Sequence, residues 1–120
     1  MNEIFLLLIL FQIKHWYVDF VLQTQTELDY KGIYGDWRGI THCVKHGVGT
    51  AVCVMLPGGS NFIIAGVLIG IVDAVVHYHI DWTRSNYGNN NVSEKQFWRD
   101  HGLDQMAHQI TYLFFAFILS

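Results

Sequence analysis

Four apolar stretches of this chain each carry two metal-ligand-type side chains four residues apart: His15/Asp19, His42/His46, Asp73/His77 (continued by Asp81) and Asp104/His108. Residues i and i+4 of an α-helix lie one above the other on the same face, so each pair sends two side chains in one direction. With seven His and seven Asp in the chain, random placement would give roughly 1.6 such pairs. There are six once His77/Asp81 and Asp100/Asp104 are counted. Charged or hydrogen-bonding groups on apolar helices turn toward one another and away from hydrocarbon. The pattern therefore asks for a helical bundle with a polar layer inside it.

Composition points the same way. Hydrophobic residues make up 52% and charged residues 14% of the chain, against about a quarter charged in soluble domains. The length of 120 residues suits one domain, 1–120, and four membrane spans would use most of it. We expect an all-α membrane-embedded bundle with spans at about 4–22, 40–57, 61–82 and 103–119. The only strong turn signal, Pro57-Gly58-Gly59-Ser60, separates the second span from the third. Polar loops cover 24–39 and the Asn-rich stretch after Arg84. Ser93-Glu94-Lys95-Gln96 matches a capping box and predicts a short interfacial helix, broken from the fourth span at Gly102. A cleaved signal peptide is disfavoured, because the leading tail has Glu3 and no Lys or Arg, and no small-residue cleavage site follows. Cys43 and Cys53, ten apart on one helix, are too distant to bridge. The net charge of −3 offers no basic face for nucleic acid.

Lys31, Arg38, Arg84, Lys95 and Arg99 all lie in the two polar loops, and the Pro57 turn and both ends have none. The positive-inside rule then puts the loops in the cytoplasm and both termini outside. All four pairs fall in the cytoplasmic half of their spans, while 5–11, 48–56, 62–72 and 110–119 are nearly pure hydrocarbon. Trp16, Tyr17, Trp37, Tyr78, Trp82 and Trp98 gather toward the same end, as an aromatic belt does.

One layer with this many imidazoles and carboxylates supplies more ligands than one tetrahedral zinc needs and enough for two bridged metals. His with Asp and no thiolate suits zinc, iron or manganese. The expected ligands are His15, Asp19, His42, His46, His77, Asp81 and His108, holding one or two divalent ions. Asp73 and Asp104 are the expected catalytic carboxylates, taking a proton from water or orienting a histidine. A network of Asp–His hydrogen bonds that only fixes helix packing is the plainer alternative. Lys14 and Lys45 either snorkel to the headgroups or hold an anion. Gln23 extends the His15/Asp19 stripe, Gly66 and Gly70 form a small-x-x-x-small packing motif, and His79 and His101 belong at the interface.

His15-Trp-Tyr-Val-Asp19-Phe20-Val-Leu-Gln23 resembles the opening H-x-x-x-D-F-x-x-Q motif of the small bacterial and phage membrane proteins grouped as domain of unknown function 3307. His42-x-x-x-His46, His77-x-x-x-Asp81-Trp82 and Asp104-Gln105-x-x-His108 are similar to that family's later motifs, in the same order. The resemblance spans nearly the whole chain and implies a polytopic protein of the bacterial inner membrane, without implying an activity. A looser likeness is to membrane-bound metal-dependent hydrolases. The Asn-rich loop after Arg84 and the basic residues Lys14 and Lys45 depart from the common pattern. Three functions stand open: metal-dependent hydrolysis of a membrane-associated ester or phosphoester, transport of a divalent metal or protons, and a non-enzymatic membrane protein with a structural polar layer. The partners implied are the lipid bilayer and an anionic headgroup or phosphoester substrate, with a homo-oligomer left open.

Overall fold

The computed structural model describes residues 2–120. Its elements are all helical among these residues: α1 (Glu3–Tyr17), a π-helical turn (Val18–Leu22), α2 (Gln25–Tyr30), α3 (Trp37–Gly58), a 3-10 turn (Gly59–Phe62), α4 (Ile63–Tyr87) and α5 (Lys95–Leu119). The long helices run up and down, with extents of 44 × 28 × 22 Å. Residues near both termini and the Pro57 turn meet at one end, where Ile4, Leu7, Pro57, Phe62 and Leu119 line one small cavity. The polar loops lie at the other end.

α1, α2 and α3 start where a side chain can receive their free N–H groups. Asn2 Oδ1 accepts from Ile4 N at 2.9 Å, and Asp36 Oδ1 accepts from Arg38 N at 2.9 Å to open α3. In the first loop Thr24 and Glu27 form a reciprocal capping box that starts α2, a helix absent from the sequence expectation. Gly59, at φ 63°, ends α3 in a conformation that side chains with a Cβ avoid.

The predicted interfacial helix is not separate. α5 runs unbroken from Lys95 to Leu119. Gly102 lies inside it and costs only about 1 kcal/mol there, too little to break a helix whose neighbours favour it. The Ser93 capping box does not form either. Glu94 is the N-cap, with no side-chain cap bond, and its carboxylate accepts from Asn89 Nδ2 and Asn91 Nδ2 at 2.5 and 3.2 Å.

α3 and α4 share the most extensive interface because two glycines bring their backbones together. A Cβ built on Gly47 would lie 2.6 Å from the Gly70 carbonyl oxygen, and one on Gly70 would lie 2.5 Å from that of Gly47. The predicted partner of Gly70, Gly66, packs one turn away against Ala51 and Met55.

Burial is inverted relative to a water-soluble bundle. Lys14, His15, His42, His46, Thr50, Asp73, His77, Asp81 and His108 are buried, while Phe5, Ile9, Ile64, Leu68, Phe114 and Phe117 are exposed. Soluble proteins put the second kind inside. The apolar core that exists (Leu7, Phe11, Cys53, Val54, Tyr112, Phe115) fills the end near the termini. Two helical stretches, Glu3–Leu22 and Trp37–Tyr87, are long and apolar enough to cross a membrane; the second folds back on itself at Gly59.

Candidate metal centre

The histidines of four helices converge. The ring centroids of His46 and His77 are 3.6 Å apart, those of His77 and His108 are 4.0 Å, and His42 lies 4.8 Å from His46. His15 closes the group at 5.2 Å from His108. Two carboxylates lie among them. Asp19 Oδ1 is 2.7 Å from His46 Nε2, 3.1 Å from His42 Nε2 and 3.9 Å from His77 Nε2. Asp81 Oδ2 is 3.4 Å from His77 Nε2 and 3.6 Å from His42 Nε2, and its Oδ1 is 3.3 Å from His108 Nε2. Asp104 Oδ1 stands 3.7 Å from His108 Nε2. Ligand atoms within 4.8 Å of one another form two sets, Asp19/His42/His46/His77 and His77/Asp81/His108.

These separations fit the edges of a coordination polyhedron. Ligands about 2.0–2.2 Å from a tetrahedral ion stand roughly 3.3–3.6 Å apart. The hydrogen-bond accounting agrees. Both ring nitrogens of His42 and of His77, with His108 Nε2, Asp81 Oδ2 and Asp104 Oδ1, are buried and make no aligned hydrogen bond in the protein, although His42 Nε2 and His108 Nε2 stand 3.1 and 3.3 Å from carboxylate oxygens. Buried polar atoms are seldom left so, and a cluster of them facing one another is what a cation would satisfy.

His15 differs. Its Nδ1 lies 2.9 Å from Tyr112 Oη, and its Nε2 lies 2.9 Å from Gln105 Oε1 and 3.0 Å from Asp19 Oδ2. Asp73, expected to act on water, sits under the cluster instead. Its Oδ2 accepts from Lys14 Nζ at 3.1 Å and from Thr50 Oγ1 at 2.5 Å. Lys14 therefore neither snorkels nor holds an external anion: it is buried, paired with Asp73, and donates to Tyr112 Oη at 2.9 Å. Lys45 is likewise engaged, donating to Glu27 and to the Leu22 carbonyl. Cys43 and Cys53 are free and buried, and His79 is exposed, 3.1 Å from Tyr34 Oη.

Thr50, Gln105, Tyr112 and Glu27 join the site without having been expected there. Tyr112 and Lys14 are findable from helical spacing. Leu7, Phe11, Lys14 and Val18 lie on one buried stripe of α1, and His108, Tyr112, Phe115 and Ala116 on one of α5.

A cleft of about 570 Å³ opens onto the cluster at the polar-loop end, lined by Asp19, Asp81 and Asp104 together with Lys31, Arg84 and His101, and Lys31 Nζ stands 3.8 Å from Asp81 Oδ2. Gln23 also lines it, with its Nε2 unpartnered.

No curated protein and no solved structure matches the chain. The model of one family, described as "Protein of unknown function (DUF3307)", matches residues 6–120. That match takes in all four His/Asp pairs and the helices that carry them, and the chain belongs to this family.

Proposed function

We propose that the protein is an integral membrane metal-dependent hydrolase acting on a membrane-associated anionic ester or phosphoester at the cytoplasmic face. One observation carries the reading: buried imidazoles and carboxylates from four helices, several of them without an aligned hydrogen bond, lie at ligand-to-ligand distances beside an open cleft whose lining combines carboxylates with Lys31 and Arg84. Four apolar helices with polar groups inside and large hydrophobic side chains outside suit a bilayer. α5 spans with its apolar half, Leu103 onward.

The donor set of His and Asp suits zinc, iron or manganese. A divalent cation held there would polarise an ester or phosphoryl oxygen and acidify water. Asp104 is the base of choice: its Oδ1 is unpartnered, its Oδ2 is steadied by Gln105 Nε2 at 3.1 Å, and it lines the cleft. Lys31, 3.8 Å from Asp81 Oδ2, and Arg84, which also bonds Asn90 Oδ1, bring positive charge to the cleft for an anionic group. An apolar groove of about 600 Å³ between α4 and α5, lined by Val75, Val76, Ile80, Leu103 and Ala107, also reaches Arg84 and Asp104. A lipid tail in the groove would bring its headgroup to the cleft.

Hydrolysis is favoured over transport because the Leu7/Phe11/Val54/Phe115 core closes the far end of the bundle and leaves no polar path through it. The test is elemental analysis of protein purified without chelators, together with metal-dependent cleavage of bis(p-nitrophenyl) phosphate and of a phospholipid. Stoichiometric metal is expected, with activity lost in Asp104→Asn while metal stays. Protein that neither contains nor takes up metal refutes the reading in favour of a hydrogen-bonded packing layer.

A further inference from the structure

We propose that Lys14 fixes the tautomers of His15 and His46, so that both present Nε2–H to Asp19 and act as positioning residues, leaving Asp19, His42, His77, Asp81 and His108 to hold the metal. The ligand half of this proposal rests on the metal reading above; the tautomer half does not.

Proton positions follow from the donors at hand. A lysine ammonium has three N–H donors and no acceptor. Lys14 Nζ has three neighbours: Asp73 Oδ2 at 3.1 Å, Tyr112 Oη at 2.9 Å and His46 Nδ1 at 3.3 Å. His46 Nδ1 cannot donate to an ammonium, so it accepts. A neutral imidazole that accepts at Nδ1 carries its proton at Nε2. His46 Nε2 lies 2.7 Å from Asp19 Oδ1, a hydrogen bond this tautomer makes.

The second branch runs through Tyr112. Its oxygen accepts from Lys14, and its own proton has one place to go, His15 Nδ1 at 2.9 Å. Tyr112 is fully buried, so an unused hydroxyl proton would be costly. His15 Nδ1 therefore accepts, and its proton is on Nε2. Gln105 reaches the same answer independently. Its Nε2 donates to the acceptor-only Asp104 Oδ2, which turns its Oε1 toward His15 Nε2 at 2.9 Å. An amide oxygen there requires a donor, and the same Nε2–H lies 3.0 Å from Asp19 Oδ2.

One lysine thus aims two N–H groups at the two oxygens of one carboxylate. Each oxygen keeps a lone pair for a cation. An Nε2 that carries a proton has none, which removes His15 and His46 from the ligand set. The histidines divide the same way by hydrogen bonding: His42, His77 and His108 each have a buried ring nitrogen without an aligned hydrogen bond, and His15 and His46 have none. Histidines that orient a ligand in this way change metal affinity without touching the ion.

The experiment uses the full chain in detergent micelles with ¹⁵N-histidine labels, read by long-range ¹H–¹⁵N correlation and assigned by single substitutions. In metal-free protein His15 and His46 should both read as Nε2–H tautomers; Nδ1–H at either overturns the proposal. Lys14→Met should bring Nδ1–H signal to His46, and Lys14→Met with Asp73→Asn, which removes both charges, makes the same test if the single variant fails to assemble. An unchanged His46 tautomer overturns the role of Lys14. Added Zn²⁺ alone should move the His42, His77 and His108 nitrogens and leave His15 and His46 protonated at Nε2. His46→Gln, which keeps an N–H for Asp19, should hold zinc within about tenfold of wild type, whereas His46→Leu should weaken it by about 10–100-fold. His42→Gln should abolish stoichiometric uptake. His46→Gln losing zinc as completely as His42→Gln overturns the ligand assignment. The stated tautomers without any zinc uptake refute the metal reading, and the ligand set with it, while upholding the tautomer half.

Discussion

Replacing Gly70 by alanine should destabilise the bundle, although the same change in an open helix stabilises it. The new Cβ would sit 2.5 Å from the Gly47 carbonyl oxygen and 3.2 Å from Ala51 Cβ. Ordinary contact begins at 3.4 Å, so α3 and α4 must part by about 0.9 Å, enough to forfeit much of the attraction along the seam. Neither obstacle is a flexible side-chain end, so the strain cannot be relieved locally. Overpacking of this kind costs about 1–3 kcal/mol. The stacked His46 and His77 rings, 3.6 Å apart, bridge the same seam and should separate with it. Gly102→Ala is the control. Gly102 lies inside α5, and a Cβ there would meet nothing within 4 Å, so alanine should add about 0.5–1 kcal/mol by removing backbone freedom. Unfolding by SDS in mixed micelles, followed by circular dichroism, measures both. A Gly70→Ala protein as stable as wild type would refute the close crossing, and a destabilised Gly102→Ala would refute the continuous helix.

Three further outcomes are expected. Asp73→Leu alone should cost about 3–5 kcal/mol by leaving the Lys14 ammonium buried and unpaired, and adding Lys14→Met should recover most of it; a double-mutant cycle with no coupling argues against the pair. The Arg38 guanidinium bonds both oxygens of Asp36 and holds its carboxyl down at about 2. Because that value is depressed, the α3 cap should be fully formed above the unfolded carboxylate value of about 3.9 and lost only as pH falls through about 2; NMR titration of the Asp36 carboxyl near 4 would contradict it. In cells, a membrane-impermeant maleimide added outside should label Ser60→Cys and spare Ser85→Cys, and the reverse pattern would overturn the orientation drawn from the Lys and Arg residues.

Long-period signals are legible in the sequence, and contacts made by chance of geometry are not. Apolar runs and i,i+4 pairs survive folding because a helix preserves its own periodicity, so the four long helices and the meeting of His15, His46, His77 and His108 can be anticipated. Lys14 is misread when a charged residue is weighed by its type alone; its place on the Leu7–Phe11–Lys14–Val18 stripe points inward. Thr24 and Glu27 carry a readable capping box that a polar-loop label conceals, whereas Ser93 carries one that the Asn89 and Asn91 contacts to Glu94 override. That Gly70 meets Gly47 depends on how two helices cross, which neither helix encodes alone. The role of Glu27 beside Lys45 depends on where a loop returns, and no local pattern fixes that.

The glycine-to-glycine crossing also bears on the order of assembly. α3 and α4 are joined by a turn of four residues, Gly59–Phe62, so bringing them together costs little chain entropy, and local pairings of this kind form early. That hairpin by itself carries His42, His46, Thr50, Asp73, His77 and Asp81, most of the buried polar side chains, but not Asp19, the carboxylate that meets His46. Asp19 arrives only with α1, and His108 and Asp104 only with α5. The buried polar groups of the hairpin thus stay uncompensated until the outer helices dock, which makes the polar layer a checkpoint: a bundle whose α1 or α5 has taken the wrong register leaves that layer buried and unpaired, a costly state.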